Sequence, residues 1–300
     1  MKKAVIEMGT NSTRLLIADL DGDNFEEIEK KLITTRLGAG VDTNKLLSDK
    51  AIKRGLDGLK KLKESVQKEN VKEVKLIGTS ALRDVGNSDT FKKMIKDEIG
   101  YNLEVISGEK EADLIFKGVT LDFNFNNYII IDIGGGSTEF IWQNFKDDEI
   151  NMKSIDIGAV RITDRFINDV NIPLSRSKVE KISTHIRKTL KENIEISSDI
   201  NNLIGVGGTI TTLASIMLKL ESYNSKAIHN YILKYSDINK IMNILRKLDL
   251  KMKKKIKGLD PDRADIIVPG TIILIETMKY LRKLKLRVSD YDILHGMLID

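Results

Sequence analysis

Apolar positions recur along this chain with two different periods. Ala4–Met8, Thr13–Leu20 and Glu26–Arg36 alternate or run as β-branched stretches, predicting three strands with a turn at Asp21-Gly22-Asp23-Asn24. Lys50–Glu69 changes period: Ile52, Leu56, Leu59, Leu62 and Val66 fall on one helical face. Strands follow at Val71–Ile77 and Asn102–Ile106 around a short helix Thr90–Ile99, and Glu109–Thr120 reads as another helix. Ile129–Ile133 is a β-branched run of the kind buried on both faces, and Thr138–Trp142 reads as its partner strand. Helices are expected at Ser175–Ile196, Thr209–Leu220, Ser236–Leu248, Arg263–Lys285 and Ser289–Asp300.

The pattern repeats. Ile6-Glu-Met-Gly-Thr-Asn-Ser-Thr-Arg14 aligns without a gap on Ile131-Asp-Ile-Gly-Gly-Gly-Ser-Thr-Glu139. Leu37-Gly38-Ala39 then matches Ile157-Gly158-Ala159, and Leu76–Thr79 resembles Val206–Thr209. Three short matches in one order at nearly one offset read as an internal duplication. The predicted fold is therefore α/β, with two domains related by that duplication and a cleft between them. The domains are expected at 1–125 and 126–285, with a last helix at about 286–300 returning to the first.

Composition narrows the chemistry. A chain of 300 residues with 41% hydrophobic content can bury two cores. There is no cysteine, so thiolate metal sites and disulfides are excluded and a cytoplasmic protein is expected. No apolar stretch is long enough to span a bilayer, and no membrane partner is expected. A formal net charge of +5 suits a polyanionic ligand but equally suits solvated lysine-rich helix faces.

The glycines point further. A strand–strand turn needs one glycine at most, yet Gly134, Gly135 and Gly136 stand together before Ser137 and Thr138. Such a run lets backbone N–H groups converge on an anion, where a Cβ would obstruct it, and Ser137 and Thr138 are expected to add hydroxyl donors. Gly9, Thr10, Asn11 and Ser12 form the companion turn, and Gly207, Gly208 and Thr209 open a helix whose N-terminus favours phosphate. Glu7, Asp132 and Glu139 would each repel a phosphate at 4 Å by roughly 4 kcal/mol at an effective dielectric of 20. A divalent cation, Mg²⁺ or Mn²⁺, resolves that conflict by bridging carboxylates to phosphate oxygens. Glu111 admits two readings: a partner of a helix cap at Gly108, or a base that activates water.

These stretches together resemble the exopolyphosphatase and guanosine pentaphosphate phosphohydrolase family, which shares its superfold with sugar kinases, actin and heat-shock ATPases. The matching runs are Glu7–Leu16, Gly78–Asn87, Ile106–Phe116, Ile131–Phe140, Ile157–Phe166, Gly205–Leu213 and Val288–Leu298. The resemblance implies two actin-like (ribonuclease H-like) domains. It implies Glu111 as general base and Asp132 and Glu139 as metal and water-positioning carboxylates. It also implies Gly134–Ser137 and Gly207–Thr209 as phosphate loops and Arg14 and Arg263 as substrate-binding arginines, with Arg83 a further candidate. Most members of that family would have aspartate where this chain has Glu7, and His295-Gly296 stands where Glu-Gly or similar is common. The implied reaction is hydrolysis of the terminal phosphoanhydride of inorganic polyphosphate or guanosine penta/tetraphosphate. No nucleic-acid partner is expected, and homodimerisation stays open. Two alternatives remain: a kinase or ATPase of the same superfold, and a catalytically weak sensor of alarmone nucleotides.

Overall fold

The computed structural model describes residues 1–21, 24–123, 127–143, 150–196 and 200–300. The turn residues Gly22 and Asp23, and the expected domain boundary at 125–126, lie outside the described residues. The chain separates into two compact units, Met1–Leu121 with Asp292–Asp300, and Asp122–Tyr291.

In the first unit, among the described residues, five strands form one sheet: β1 (Lys2–Met8), β2 (Ser12–Asp21), β3 (Asn24–Thr34), β4 (Glu73–Gly78) and β5 (Leu103–Val105), in the order β3-β2-β1-β4-β5. β1 pairs antiparallel with β2 and parallel with β4. It is central, so its side chains from Ala4 to Met8 are all buried, which explains an apolar run rather than an alternation. β3 stops at Thr34, short of the expected Arg36, because Arg36 takes a left-handed φ of 49°. Helix Asp49–Lys68 is capped by Ser48 and buries Leu56, Leu59, Leu62 and Val66, packing with Phe91 and Ile95 into the first core.

In the second unit the described strands are β6 (Tyr128–Ile133), β7 (Thr138–Gln143), β8 (Ile150–Ile155), β9 (Asn202–Val206), β10 (Ile232–Lys234) and β11 (Lys285–Val288). Their order is β8-β7-β6-β9-β11-β10, which repeats the 3-2-1-4-5 order of the first sheet and adds one strand. The duplication is visible bond for bond. Gly9 N–H donates to Ser12 O at 3.0 Å, and Gly134 N–H donates to Ser137 O at 3.1 Å. This is a duplicated actin-like α/β architecture. Ile131, Phe140, Ile210 and Leu274 belong to the second core.

One stretch departs from the expectation. Arg263–Lys285 is helical only over Ile267–Tyr280, because Asp260 and Pro261 close a separate 3-10 turn at Pro261–Arg263. Past Tyr280, Arg282 takes a left-handed φ of 53°, and the alternation Leu284-Lys-Leu-Arg-Val288 then enters the sheet as β11, parallel to β9. Residues 286–288 therefore belong to the second unit's sheet and not to the terminal helix. That helix runs Ile293–Ile299, capped by Asp292, and packs on helix Gly108–Thr120, where Asp300 pairs with Lys110 at 3.0 Å and with Lys117. Helix Ala159–Phe166 and strand β10 were not expected. No helix among the described residues is long and apolar enough to cross a membrane.

Candidate active site

The first unit gathers Glu7, the Gly9–Ser12 turn, Arg14, Arg83 and Glu111. The cap of helix Gly108–Thr120 is Ser107, one residue before the Gly108 considered above: Ser107 Oγ accepts the Lys110 N–H at 3.1 Å. Glu111 is then one position too late to serve as the N3 partner of a capping box. Its carboxylate goes instead to Arg83, whose Nη1 donates to Oε2 at 2.6 Å and to the Ile106 carbonyl at 3.1 Å. Glu111 is only 7% exposed. Burial pushes its carboxyl up to about 7, against the lowering pull of Arg83; Glu7 adds to the rise and Arg14 opposes it. A carboxyl poised there can take a proton near neutral pH.

Glu7 and Arg14 stand opposite each other in the β1–β2 ladder. Arg14 Nε donates to Glu7 Oε2 at 2.7 Å, and Arg14 Nη1 pairs with Asp292 Oδ2. The arginine expected to meet substrate is thus held between two carboxylates. Asp292 caps the terminal helix through the Leu294 N–H at 3.0 Å, while its own N–H donates to His295 Nδ1 at 3.1 Å. His295 is fully buried, and its Nε2 lies 2.9 Å from Glu27 Oε1. Burial alone would lift the Asp292 carboxyl, but Arg14, His295 and Lys30 together hold it well below the usual carboxylate range. Asp292 escaped the sequence reading although it lies inside the matched run Val288–Leu298; only its contact with Arg14, far away in the chain, marks it.

The Gly9 turn is braced from behind. Thr10 O accepts the Gly38 N–H at 2.9 Å and Asn11 O accepts the Arg36 N–H at 2.7 Å. In a trans peptide the next N–H points the opposite way, so the Asn11 and Ser12 amides face outward. The Asn11 side chain donates to Ser12 Oγ at 3.1 Å.

The second unit gathers Asp132, the Gly134–Ser137 turn, Glu139, Gly207, Gly208, Thr209 and Arg263. Asp132 and Glu139 are opposite each other in the β6–β7 ladder, at the positions that Glu7 and Arg14 hold in the first unit. Both are buried, at 8% and 1% exposure, and Ser154 Oγ donates to Glu139 Oε1 at 2.8 Å. Thr138, expected to add a hydroxyl donor to the turn, is buried and donates to the Ile157 carbonyl, so it braces the turn instead. Gly207 precedes the helix Gly208–Leu218 with φ of 89°, and a Cβ there would stand 2.2 Å from Asp132 Oδ1. At Gly208 a Cβ would stand 1.9 Å from Arg263 Nη1, so the guanidinium lies directly on the helix start. Thr209 turns its side chain toward Gly270, while the Gly208 and Thr209 N–H groups, at the first turn, have no intrahelical acceptor.

The donor set suits a hard cation. Asp132 and Glu139 offer only oxygen, which Mg²⁺ and Mn²⁺ prefer. Among the described residues no three acidic or histidine side chains gather closely enough to enclose an ion by themselves. Mg²⁺ is commonly held by one or two carboxylates while phosphate and water oxygens complete its shell.

A family model described as the Ppx/GppA phosphatase family matches residues 16–300. A bifunctional 3-dehydroquinate synthase/phosphatase of Fusobacterium nucleatum is 40% identical over 99% of this chain, and the match spans 46% of that protein, so the chain covers about half of this relative. Exopolyphosphatase 2 of Mycobacterium tuberculosis is 31% identical, with 98% of this chain and 96% of that protein covered. The crystal structure of an exopolyphosphatase from Cytophaga hutchinsonii superposes with a TM-score of 0.88 at 30% identity, covering 100% of this chain and 97% of that one.

Proposed function

This chain belongs to the Ppx/GppA phosphatase family, a family of hydrolases, and we propose that it removes the terminal phosphate from inorganic polyphosphate or guanosine pentaphosphate. The observation that carries the reading is Glu111, a buried carboxyl lifted to about 7 by its burial and held in place by Arg83. In the proposed reaction Glu111 takes a proton from water as the water oxygen bonds to the terminal phosphorus. The bridging P–O bond breaks, releasing orthophosphate and the shortened anhydride. Phosphoryl transfer depends on positioning and charge stabilisation more than on covalent participation. Within the first unit lie the base, Arg14 and the Gly9–Ser12 turn. Within the second lie the Gly134–Ser137 turn, the helix start at Gly208–Thr209 and Arg263.

Asp132 and Glu139 would hold Mg²⁺ or Mn²⁺. When bound, the ion would offset the repulsion between those carboxylates and the phosphates and stabilise charge on the leaving oxygen. Glu7 takes a different part in this reading: its Oε2 is committed to Arg14, and it fixes the guanidinium that meets a phosphate.

The test is orthophosphate release from tripolyphosphate, long-chain polyphosphate and guanosine pentaphosphate, each with Mg²⁺. Release from at least one of them, lost in Glu111→Gln, supports the reading. Transfer of phosphate from ATP to an acceptor in excess of any release would replace it with a kinase. Tight nucleotide binding without release under any divalent ion would replace it with a sensor.

A further inference from the structure

The sequence pattern leaves one question open at the triple-glycine turn. Three consecutive glycines have no steric preference for which way each peptide plane faces. A peptide turned one way offers its N–H to an anion; turned the other way it offers a carbonyl oxygen, which repels it. Something must set the direction.

For two of the planes the start of helix Ala159–Phe166 sets it. Ala159 N–H donates to Gly134 O at 2.9 Å, and Val160 and Arg161 N–H donate to Gly135 O at 2.8 and 3.1 Å. Gly158 permits this approach, since a Cβ there would stand 2.4 Å from the Gly135 carbonyl. With those carbonyls pinned, the Gly135 and Gly136 N–H groups point to the opposite side. The third plane is set differently. Gly136 O accepts from the side chain of Arg161, Nε at 2.7 Å, and that side chain is only 7% exposed, with Nη2 3.5 Å from Asp156. This turns the Ser137 N–H to the same side as the other two.

The duplicated unit shows that a side chain is not the general solution. Asn11, the counterpart of Gly136, has its carbonyl held by the backbone N–H of Arg36, and the residue in the place of Arg161 is Val41. The second turn has a glycine where the first has Asn11, and therefore less intrinsic restraint on that plane.

We infer that Arg161 is a positioning residue: it orients the Gly136–Ser137 peptide so that three successive N–H groups, of Gly135, Gly136 and Ser137, form the phosphate cradle of the second unit. The inference rests on reading this turn as a phosphate site. It differs from a merely structural role because losing the arginine should disturb phosphate contact first at the Ser137 amide and not simply stability.

Arg161→Met and Arg161→Lys test it, with tripolyphosphate turnover and amide ¹⁵N–¹H spectra recorded during titration with inorganic phosphate. In the unaltered protein the Gly135, Gly136 and Ser137 amides should shift with phosphate. Arg161→Met should raise KM about ten- to a hundredfold, the range for losing a hydrogen bond to a charged group, with a smaller change in kcat; the Ser137 shift should disappear, and those of Gly135 and Gly136, whose planes the helix start still holds, should diminish. Arg161→Lys keeps a donor for Gly136 O but not the fixed fork, so its KM should lie between the two and the shifts should partly return. If Arg161→Met does not fold, a raised KM in Arg161→Lys supports the role and an unchanged KM overturns it. Undiminished shifts in folded Arg161→Met overturn the role of Arg161 alone. Absence of these shifts in the unaltered protein overturns the phosphate reading of the turn, and this inference with it.

Discussion

Glu7 and Arg14 face each other across β1 and β2 with Nε 2.7 Å from Oε2, at the ladder position that two acids, Asp132 and Glu139, occupy across β6 and β7. One copy of the duplicated hairpin therefore sets an acid opposite a base, and the other sets two acids opposite each other. Like charges that close are tolerated when a cation, a proton or a nearby arginine offsets them. The two copies therefore differ in the charge pattern they carry at one ladder position.

Glu111→Gln should lower turnover by roughly 10²–10⁴ if the residue is the general base, while substrate affinity stays similar. Steady-state phosphate release alongside equilibrium binding measures both. Near-normal turnover removes Glu111 from the chemistry, and a joint loss of affinity and turnover makes it a positioning group.

The pH profile should report the same carboxyl. The base must be ionised, so kcat/KM should rise with pH and level off above about 7, where burial has lifted Glu111. Arg83 opposes that rise, so Arg83→Met should move the limb to higher pH. An unmoved limb in that variant would separate the profile from Glu111. The stability effect has the opposite sense: a raised folded-state value means the native state binds the proton more tightly. Its contribution is present below the ordinary value of 4.5 and is lost as pH rises through about 7. Glu111→Gln should flatten that part of the stability curve, which thermal melts between pH 4 and 8 would show.

Phosphate release should require a divalent cation and fall steeply in Asp132→Asn and Glu139→Gln. Isothermal titration of Mn²⁺ into each variant gives a readout independent of turnover. Full activity in excess chelator would refute the cation assignment.

Glu7→Asp separates two roles for the longer acid. If Glu7 serves Arg14, shortening it weakens the ion pair and raises KM, while the ratio of Mg²⁺- to Mn²⁺-supported activity stays constant. A ratio that moves toward Mg²⁺ would place Glu7 among the metal ligands, since the smaller ion is the stricter about ligand geometry.

Much of the architecture was legible because it is written in short periods. The β-branched run at Ile129–Ile133, the amphipathic face of Asp49–Lys68 and the glycine turns each specify local structure from neighbouring residues. Their recurrence in one order disclosed the duplication, and with it two sheets of matching strand order. Lys285–Val288 is a strand that local pattern does not separate from its helical neighbours, because its alternation is brief and directly follows a strongly apolar helix. Its place beside β9 comes from pairing with a strand about eighty residues earlier.

The sequence alone disclosed the glycine turns and the strand-end carboxylates, because these are local facts of composition and period, while the arginines and the role of Glu111 as base came with the family resemblance. Tertiary structure decided what each of them is tied to. Glu111 could have been a cap partner until Arg83 and burial claimed it, Arg14 is flanked by an aspartate 278 positions away, and Arg161 is aimed at a carbonyl 25 positions back. Such contacts leave no trace in local periodicity. They arise when packing brings distant segments together, and burial then makes an unpaired charge too costly to leave uncompensated.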